Sequence, residues 1–401
     1  MRISFLWERA SVVNCKRERW ARLSNLLSQG VKSMNERLRE LSQAGQSAWI
    51  DYLSRDIILS GELQTTIEEG IVGVTSNPTI FQTAISHSSL YDEQLQEVSR
   101  EKEDAKAIFL ELARQDIRDA CDLLMPVFER TNRLDGYVSL EVSPDLAYDT
   151  PPTFEEATRL HELVDRPNLM VKIPATLPGL AAIEDMIATG RSINVTLIFS
   201  LRRYREVAEA YIRGLQRLVA AGGDPSKVAS VASFFVSRVD TETDRRLEEI
   251  GGHAELKGKL AIANAKLAYA EFKEIFSGPD WEFLESKGAT KQRPLWASTS
   301  TKNPAYSDVI YVEELVGPET VNTMPASTLK AFVDHGKVDK DALAEGLDEA
   351  GTLVERLREV GVDYEDVTET LEKEGVRKFA DSFNELLQGI KDKERQIVYQ
   401  G

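Results

Sequence analysis

The chain has 401 residues, enough for one large α/β barrel with extensions or for two ordinary domains. Its composition, 42% hydrophobic and 29% charged, is that of a globular protein, and a net charge of -17 excludes nucleic acid as an expected partner, since phosphate backbones need a basic surface. The two cysteines and four scattered histidines give no disulfide framework and no metal-binding spacing, and no apolar run could span a membrane. We therefore expect a cytoplasmic protein without a metal site.

The first 33 residues differ from the rest of the chain, because they carry seven basic and only two acidic side chains. Met34 then opens a segment with the pattern of a helix, at residues 34–41. We predict that residues 1–33 are an appendage outside the fold, with a transit peptide as the alternative. Residues 34–401 contain no long linker and no internal repeat, so we expect them to form a single domain.

Past Met34, apolar strand-like runs alternate with segments of helical periodicity. The predicted strands are residues 48–53, 71–78, 137–143, 168–176, 192–199, 228–236, 294–299 and 309–315. The predicted helices include residues 95–125, 201–220 and 254–276, and a helical C-terminal extension from residue 339 that includes 376–391.

Eight strands with intervening helices favour parallel pairing and a (β/α)₈ TIM barrel with extra N- and C-terminal helices. An open doubly wound sheet is the alternative. No Gly-x-Gly-x-x-Gly sequence follows the first strand, which argues against a dinucleotide-binding version of that sheet.

One of these strands carries a lysine, Lys172, inside the apolar run of residues 168–176. Burial disfavours the charged ammonium form of lysine, and a free amine in a dry pocket is a nucleophile suited to Schiff-base chemistry. The alternatives are a side chain that reaches solvent from the strand end, or an ion pair with a carboxylate.

Six more polar residues interrupt the predicted strands, and in a parallel barrel such residues gather at the C-terminal face. Taken singly, each is best explained as a satisfied core group. Together they favour one shared polar pocket, because every buried polar group needs a partner. The seven residues are Asp51, Asn77, Glu141, Lys172, Asn194, Thr196 and Ser233.

Three of these segments resemble the transaldolase family in order and spacing. Residues 75–81 (TSNPTIF) look like the signature after its second strand, residues 171–176 (VKIPAT) like the strand with its Schiff-base lysine, and residues 193–200 (INVTLIFS) like its next strand. The resemblance runs from about residue 48 to residue 328. It implies a (β/α)₈ fold without cofactor or metal, belonging to a longer subgroup of the family.

The resemblance also implies an activity in the non-oxidative pentose phosphate pathway. A dihydroxyacetone unit would pass from fructose 6-phosphate or sedoheptulose 7-phosphate to erythrose 4-phosphate or glyceraldehyde 3-phosphate. Sugar phosphates are then the expected partners, and a homodimer is the assembly considered.

By the same resemblance, Lys172 would form the imine with the donor's ketone. Asp51 would exchange a proton with the C4 hydroxyl, and Glu141 with Thr196 would hold the water that relays protons. Asn77, Asn194 and Ser233 are implied to bind the hydroxyls of the dihydroxyacetone unit.

The phosphate would be bound by Arg238, for which the alternative is a salt bridge with Asp240 or Asp244. Ser298 aligns with the family, but its second phosphate-binding arginine is missing, and Lys302 is the nearest cation. Residues 322–328 are expected to form a loop after the eighth strand, at the mouth of the barrel.

Two other functions stay open. A Schiff-base fructose 6-phosphate aldolase would release free dihydroxyacetone, but the related aldolases have tyrosine and glutamine where this chain has Phe235 and Glu141. A non-catalytic phosphosugar-binding barrel would be expected to lose Lys172, Asp51 or Glu141, and all three are present.

Overall fold

A computed structural model describes residues 34–400, with side chains through residue 396, so the predicted appendage of residues 1–33 lies outside the described residues. The described part contains a closed barrel in which every strand runs parallel to its neighbours and the last pairs with the first. The strands are Gln46–Asp51 (β1), Gly73–Thr75 (β2), Tyr137–Glu141 (β3), Leu169–Pro174 (β4), Ile193–Ile198 (β5), Ser230–Phe235 (β6), Arg293–Ala297 (β7) and Thr320–Met324 (β8). The predicted (β/α)₈ fold is therefore confirmed.

Helices surround the barrel and extend it at the C-terminal end. They are Glu36–Gln43 (α1), Arg55–Leu59 (α2), Glu62–Glu69 (α3), Pro78–His87 (α4), Asp92–Val98 (α5), Ala105–Arg130 (α6), Thr150–Val164 (α7), Leu177–Ala188 (α8), Leu201–Ala220 (α9), Ser237–Ile250 (α10), Leu260–Ile275 (α11), Pro279–Ser286 (α12), Ile310–Glu313 (α13), Ala326–His335 (α14), Leu347–Glu359 (α15) and Tyr364–Gln400 (α16). The predicted helix over residues 201–220 and the helical C-terminal extension are confirmed.

The central strands are buried on both faces, as expected when helices cover a parallel sheet. Every residue of β4, β5 and β6 is buried, so a polar side chain on these strands must find its partner inside the barrel or in the layer between strands and helices. This constraint makes the polar residues of these strands informative about the site.

The N-terminal end of the barrel is closed by a buried ion pair between Arg293 and Asp135, whose Nη2 and Oδ1 atoms are 2.9 Å apart. Asp135 also accepts hydrogen bonds from Ser47 Oγ at 2.7 Å and Trp49 Nε1 at 3.1 Å. Arg293 donates further to Ser47 Oγ and to the carbonyl of Leu134. The cluster ties β1 and β7 to the segment just before β3, at the end of the barrel opposite the predicted site.

The prediction of an eighth strand at residues 309–315 is wrong. This segment contains the short helix α13, and its buried residues Val309, Tyr311, Val312 and Leu315 include pairs three and four residues apart, as on one face of a helix. The true strand, β8, has the sequence Thr-Val-Asn-Thr-Met, and its polar residues conceal the strand pattern. Residues 322–324 are consequently part of β8, and 326–328 begin α14, so the predicted loop over 322–328 is also wrong.

Two predicted helices have different bounds in the structure. Residues 95–125 are divided between α5 and α6 by a break at residues 99–104. Residues 254–276 begin with a 3₁₀ turn at Ala254–Leu256, and α11 starts only at Leu260. Helical periodicity identifies both regions, but it does not locate a break of a few residues.

We predict that Arg293→Met lowers the free energy of unfolding by about 3–5 kcal/mol, because it leaves Asp135 buried without its counter-charge. Urea denaturation measures this change. The double variant Arg293→Met/Asp135→Asn should lose less than the sum of the two single variants, since each single change destroys the same interaction. If Arg293→Met lowered the free energy of unfolding by less than about 1 kcal/mol, the Arg293–Asp135 ion pair would contribute no more than an ion pair at the surface.

Candidate active site

Three of the predicted site residues lie side by side on neighbouring strands of the barrel. Glu141 ends β3 and pairs in register with Lys172 on β4, which in turn pairs with Asn194 on β5. Residues paired in register on adjacent strands point to the same side of the sheet, so the side chains of Glu141 and Lys172 can meet.

Lys172 is buried, with 6% of its side chain exposed, and it is compensated by two acceptors. Its Nζ atom is 3.3 Å from Glu141 Oε2 and donates a hydrogen bond of 3.0 Å to the carbonyl oxygen of Ser76. Of the alternatives that the sequence left open, the carboxylate pair is therefore present. Such a pair also suits a nucleophile, because the carboxylate can remove the proton from the ammonium group.

Asp51, the last residue of β1, is held by a chain of hydroxyl groups. Thr75 Oγ1 donates to Asp51 Oδ1 at 2.7 Å and lies 2.7 Å from Thr323 Oγ1. Since a hydroxyl has one hydrogen, Thr75 accepts from Thr323 while it donates to Asp51. The chain fixes one oxygen of Asp51 and leaves the other available for a substrate proton.

Both carboxylic acids of the site are more basic than usual. Desolvation raises the pKa of Asp51, and the attraction of Lys172, the Thr75 hydrogen bond and Arg238 oppose it only in part. Desolvation also raises the pKa of Glu141, against the charge and hydrogen bond of Lys172, and the nearby Asp51 adds to the increase. A carboxylate with a raised pKa accepts a proton more readily near neutral pH, as a general base must.

Asn194 and Ser233 form a buried hydrogen-bond network with Ser139. Asn194 Nδ2 donates to Ser139 Oγ at 3.0 Å, and Ser233 Oγ donates to Asn194 Oδ1 at 2.7 Å. Asn194 keeps one N–H to donate, and Ser233 can only accept. Thr196 lies two residues further along β5, and its Oγ1 atom is buried without a hydrogen-bond partner among residues 34–396.

Asn77 does not lie on a strand, contrary to the prediction. β2 ends at Thr75, and Asn77 is the N-cap of α4, where its Oδ1 accepts a 3.0 Å hydrogen bond from the backbone N–H of Ile80. Asparagine followed by proline is typical of a helix start, because proline suits the first helical position. Asn77 directly follows Ser76, which binds Lys172, so it still lies at the edge of the site.

Arg238, in the first turn of α10, makes neither of the salt bridges considered for it. Both oxygens of Asp240 accept other hydrogen bonds, one from Ala261 N and one from Tyr311 OH. The oxygens of Asp244 likewise accept from Gly258 N and Tyr306 OH. The Cζ atom of Arg238 instead lies 5.2 Å from the centre of the Phe235 ring, at the end of β6. Arg238 Nη1 is buried and has no hydrogen-bond partner in the described part of the chain.

Ser298 and Lys302 follow β7 on the same side of the barrel. Ser298 has a left-handed backbone (φ 56°), and its Oγ lies 2.9 Å from Ser237 Oγ, next to Arg238. Lys302 is exposed and donates to Ser300 Oγ at 2.7 Å. Desolvation and then repulsion by Arg238 lower the pKa of Lys302, which indicates that the two cations face a common space.

Three contributors to the site were not singled out from the sequence. Thr75 and Ser139 lie within recognised strand segments, two residues before Asn77 and Glu141, and could have been found by following the inward face of each strand. Phe379, on α16, lies over both Lys172 and Arg238, with its ring centre 5.9 Å from Nζ and 5.8 Å from Cζ. A phenylalanine on an amphipathic helix gives no sequence signal that separates it from core.

Two kinds of feature are absent from residues 34–400. No helix in this range is both long and apolar enough to cross a membrane. No group of three or more histidine, cysteine, aspartate or glutamate side chains in this range is arranged to hold a metal ion.

Comparison with known proteins gives a consistent result. Residues 48–390 match the model of the family described as transaldolase/fructose-6-phosphate aldolase. A protein of Acidothermus cellulolyticus named Transaldolase is 52% identical over 359 residues, covering 89% of this chain and 96% of its own. Proteins of the same name from Parafrankia sp. and Mycobacterium bovis are 52% and 50% identical over 362 residues, covering 90% and 89% of this chain and 98% and 97% of their own.

We predict that Asp51→Asn stabilises the protein at pH 8. The pKa of Asp51 is raised on folding, so the wild-type protein loses stability as pH rises from about 4, the value for an unfolded chain, through the folded-state pKa. Asparagine does not ionise, so the variant does not lose stability in this range. Its stability advantage over the wild type should therefore disappear as pH falls towards about 4. Unfolding midpoints at several pH values measure it.

Asp224 is the matched control for this experiment, because hydrogen bonds from Ser226 lower its pKa. Asp224→Asn should therefore lose stability at pH 8, the opposite sign. A gap between wild type and Asp51→Asn that does not change with pH would contradict the assignment of the effect to the buried carboxylate.

Proposed function

We propose, from the premise that this chain belongs to the transaldolase/fructose-6-phosphate aldolase family, that it is a transaldolase acting through a Schiff base on Lys172. The donor would be fructose 6-phosphate or sedoheptulose 7-phosphate, and the acceptor erythrose 4-phosphate or glyceraldehyde 3-phosphate. The observation that carries the mechanism is a buried lysine 3.3 Å from a buried carboxylate, at the C-terminal face of the barrel.

The first half of the reaction forms the imine. Glu141 takes a proton from the Lys172 ammonium group, and the free amine adds to the C2 ketone of the donor to give a carbinolamine. The carbinolamine oxygen then receives a proton and leaves as water. Glu141 Oε2 lies 3.3 Å from Lys172 Nζ, and Thr196 Oγ1 has no partner among the described residues, so these two groups can hold the water that relays this proton.

The second half breaks and remakes a carbon–carbon bond. Asp51 takes the proton of the C4 hydroxyl, the C3–C4 bond breaks with its electrons moving into the iminium, and an aldose phosphate leaves. The remaining enamine attacks the carbonyl carbon of the acceptor, whose oxygen receives the proton back from Asp51. The raised pKa of Asp51 supports this role, since the same group must accept and return a proton.

The dihydroxyacetone unit meets a set of complementary donors and acceptors. Asn194 has one N–H left after its bond to Ser139, and Ser233 has an acceptor left after its bond to Asn194. Asn77 uses Oδ1 to cap α4, so its Nδ2 group is the part suited to a substrate hydroxyl. Each group is already oriented by a protein partner, which lowers the cost of ordering it on binding.

The phosphate group would bind between Arg238, Lys302 and Ser298. A guanidinium offers paired donors to phosphate oxygens, whereas lysine offers a point charge. Arg238 has a buried nitrogen without a partner among the described residues, and repulsion by Arg238 adds to desolvation in lowering the pKa of Lys302. A phosphate would remove this repulsion, which supports Lys302 as the substitute for the family's second arginine.

Aldolase activity, with release of free dihydroxyacetone, is the second candidate within this family. Product analysis with and without an acceptor aldehyde separates the two, because only the transferase needs an acceptor for turnover. Phe235 and Glu141, where the related aldolases are expected to have tyrosine and glutamine, favour the transferase. The appendage of residues 1–33 and a homodimer remain parts of the proposal.

We predict that Lys172→Ala abolishes transfer and that Glu141→Gln slows it by roughly 10²–10⁴-fold, the usual loss for an acid–base group. Sedoheptulose 7-phosphate formed from fructose 6-phosphate and erythrose 4-phosphate measures the rate. Lys266→Ala is the control, since Lys266 is also buried but binds the carbonyl of Glu345 instead. Transfer that survives in Lys172→Ala would exclude the mechanism, and unchanged turnover in Glu141→Gln would remove Glu141 from it.

We predict that Arg238→Ala raises KM for fructose 6-phosphate by roughly 10- to 100-fold, since a hydrogen bond to a charged group contributes about 1.5–3 kcal/mol. The kcat/KM for unphosphorylated fructose should change much less. Lys302→Ala should shift the same ratio in the same direction by a smaller factor. An equal loss with both ketoses would show that Arg238 is structural.

A further inference from the structure

The C-terminal helix α16 lies across the mouth of the barrel and is fixed along its length. Near its start, Asp366 pairs with Arg246 of α10 at 2.6 Å, and Tyr364 OH accepts from the backbone N–H of Leu201 at 3.0 Å. Further along, Ser382 accepts a 2.8 Å hydrogen bond from Thr79 of α4. α10 follows β6 and α4 follows β2, so the helix between these contacts spans the barrel from one side to the other.

The middle of α16 lies directly on the strand ends. A Cβ atom at Gly375 would come within 2.9 Å of Leu197 Cδ2 on β5, so the backbone of the helix packs closely against this side chain. One turn later, Phe379 is buried, with 6% exposed, and its ring covers Lys172 Nζ. A carbon atom bonded to Nζ would lie near van der Waals distance of this ring.

We propose that Phe379 covers the enamine on Lys172 and keeps water away from its nucleophilic carbon, so that the bound three-carbon unit persists until an acceptor aldehyde arrives. This inference rests on the proposed function, because it requires the Schiff base on Lys172. It makes Phe379 a residue that decides between transfer and release.

The competing reaction consumes one water. The enamine carbon takes a proton from water, which converts the enamine to the iminium of dihydroxyacetone. The hydroxide that remains adds to the iminium carbon, and the carbon–nitrogen bond breaks. The amine of Lys172 leaves with the proton of the new hydroxyl, which gives free dihydroxyacetone and the original enzyme. In transfer, the same carbon forms a bond to the acceptor instead.

The position of Phe379 suits a role in favouring transfer over hydrolysis of the enamine. Apart from Phe235, the site side chains named above are polar or charged, so water admitted beside them would find hydrogen-bond partners there. Phe379 and Phe235 both lie against the guanidinium of Arg238 and make the apolar part of the enclosure. Removal of the Phe379 ring would open a space in a polar site, which admits water and its side reactions.

The test measures both products in one reaction containing fructose 6-phosphate and erythrose 4-phosphate. We expect the ratio of free dihydroxyacetone to sedoheptulose 7-phosphate to rise by roughly tenfold in Phe379→Ala, the effect of a barrier change of about 1.4 kcal/mol. Phe379→Leu should keep a ratio near that of the wild type, because leucine still fills the space. Phe379→Val should give an intermediate ratio and serves if the alanine variant does not fold.

Leu386→Ala is the matched control, since Leu386 is buried on the same helix two turns further on. It should lower stability without changing the product ratio. An unchanged ratio in Phe379→Ala, or an equal rise in Leu386→Ala, would overturn the inference while leaving the transaldolase mechanism intact. A wild-type protein that forms no sedoheptulose 7-phosphate would instead contradict the proposed function and the inference with it.

Discussion

The ion pair between Lys172 and Glu141 is the constraint on which the rest of the site depends. A buried ammonium group is tolerated only when an opposite charge and further hydrogen bonds compensate for lost solvation. The structure provides both, with Glu141 Oε2 at 3.3 Å and the Ser76 carbonyl at 3.0 Å. Because β3 and β4 pair in register at these two residues, the barrel itself fixes their separation. In the proposed mechanism, backbone geometry thus places the nucleophile next to the base that activates it.

The charged groups of the site, two carboxylates and three cations, suit a phosphorylated substrate. Asp51 and Glu141 are acidic, Lys172 and Arg238 are basic, and Lys302 approaches from outside. Arg238 interacts with both carboxylates and with Lys302. In the proposed mechanism, a substrate phosphate beside Arg238 and Lys302 would offset their positive charge, on a protein whose net charge is -17.

Much of this arrangement could be predicted from the sequence, and the exceptions have physical causes. Lys172, Glu141 and Asn194 could be found because they interrupt apolar strands, where a polar residue is conspicuous. β8 was missed for the opposite reason, since three of its five residues are polar and a neighbouring apolar segment, α13, resembled a strand. Phe379 could not be found, because its distance from Lys172 depends on how α16 crosses the barrel, and no local pattern encodes that packing.

The central claim is that Lys172 bonds covalently to the donor sugar, and the most direct measurement is borohydride reduction in the presence of fructose 6-phosphate, followed by peptide mapping. Reduction converts the imine to a stable secondary amine, so the labelled residue can be identified by mass. We expect a three-carbon or six-carbon adduct on Lys172 and none on Lys266, which is also buried. An adduct on another lysine, or protein that stays unmodified while transfer proceeds, would contradict it.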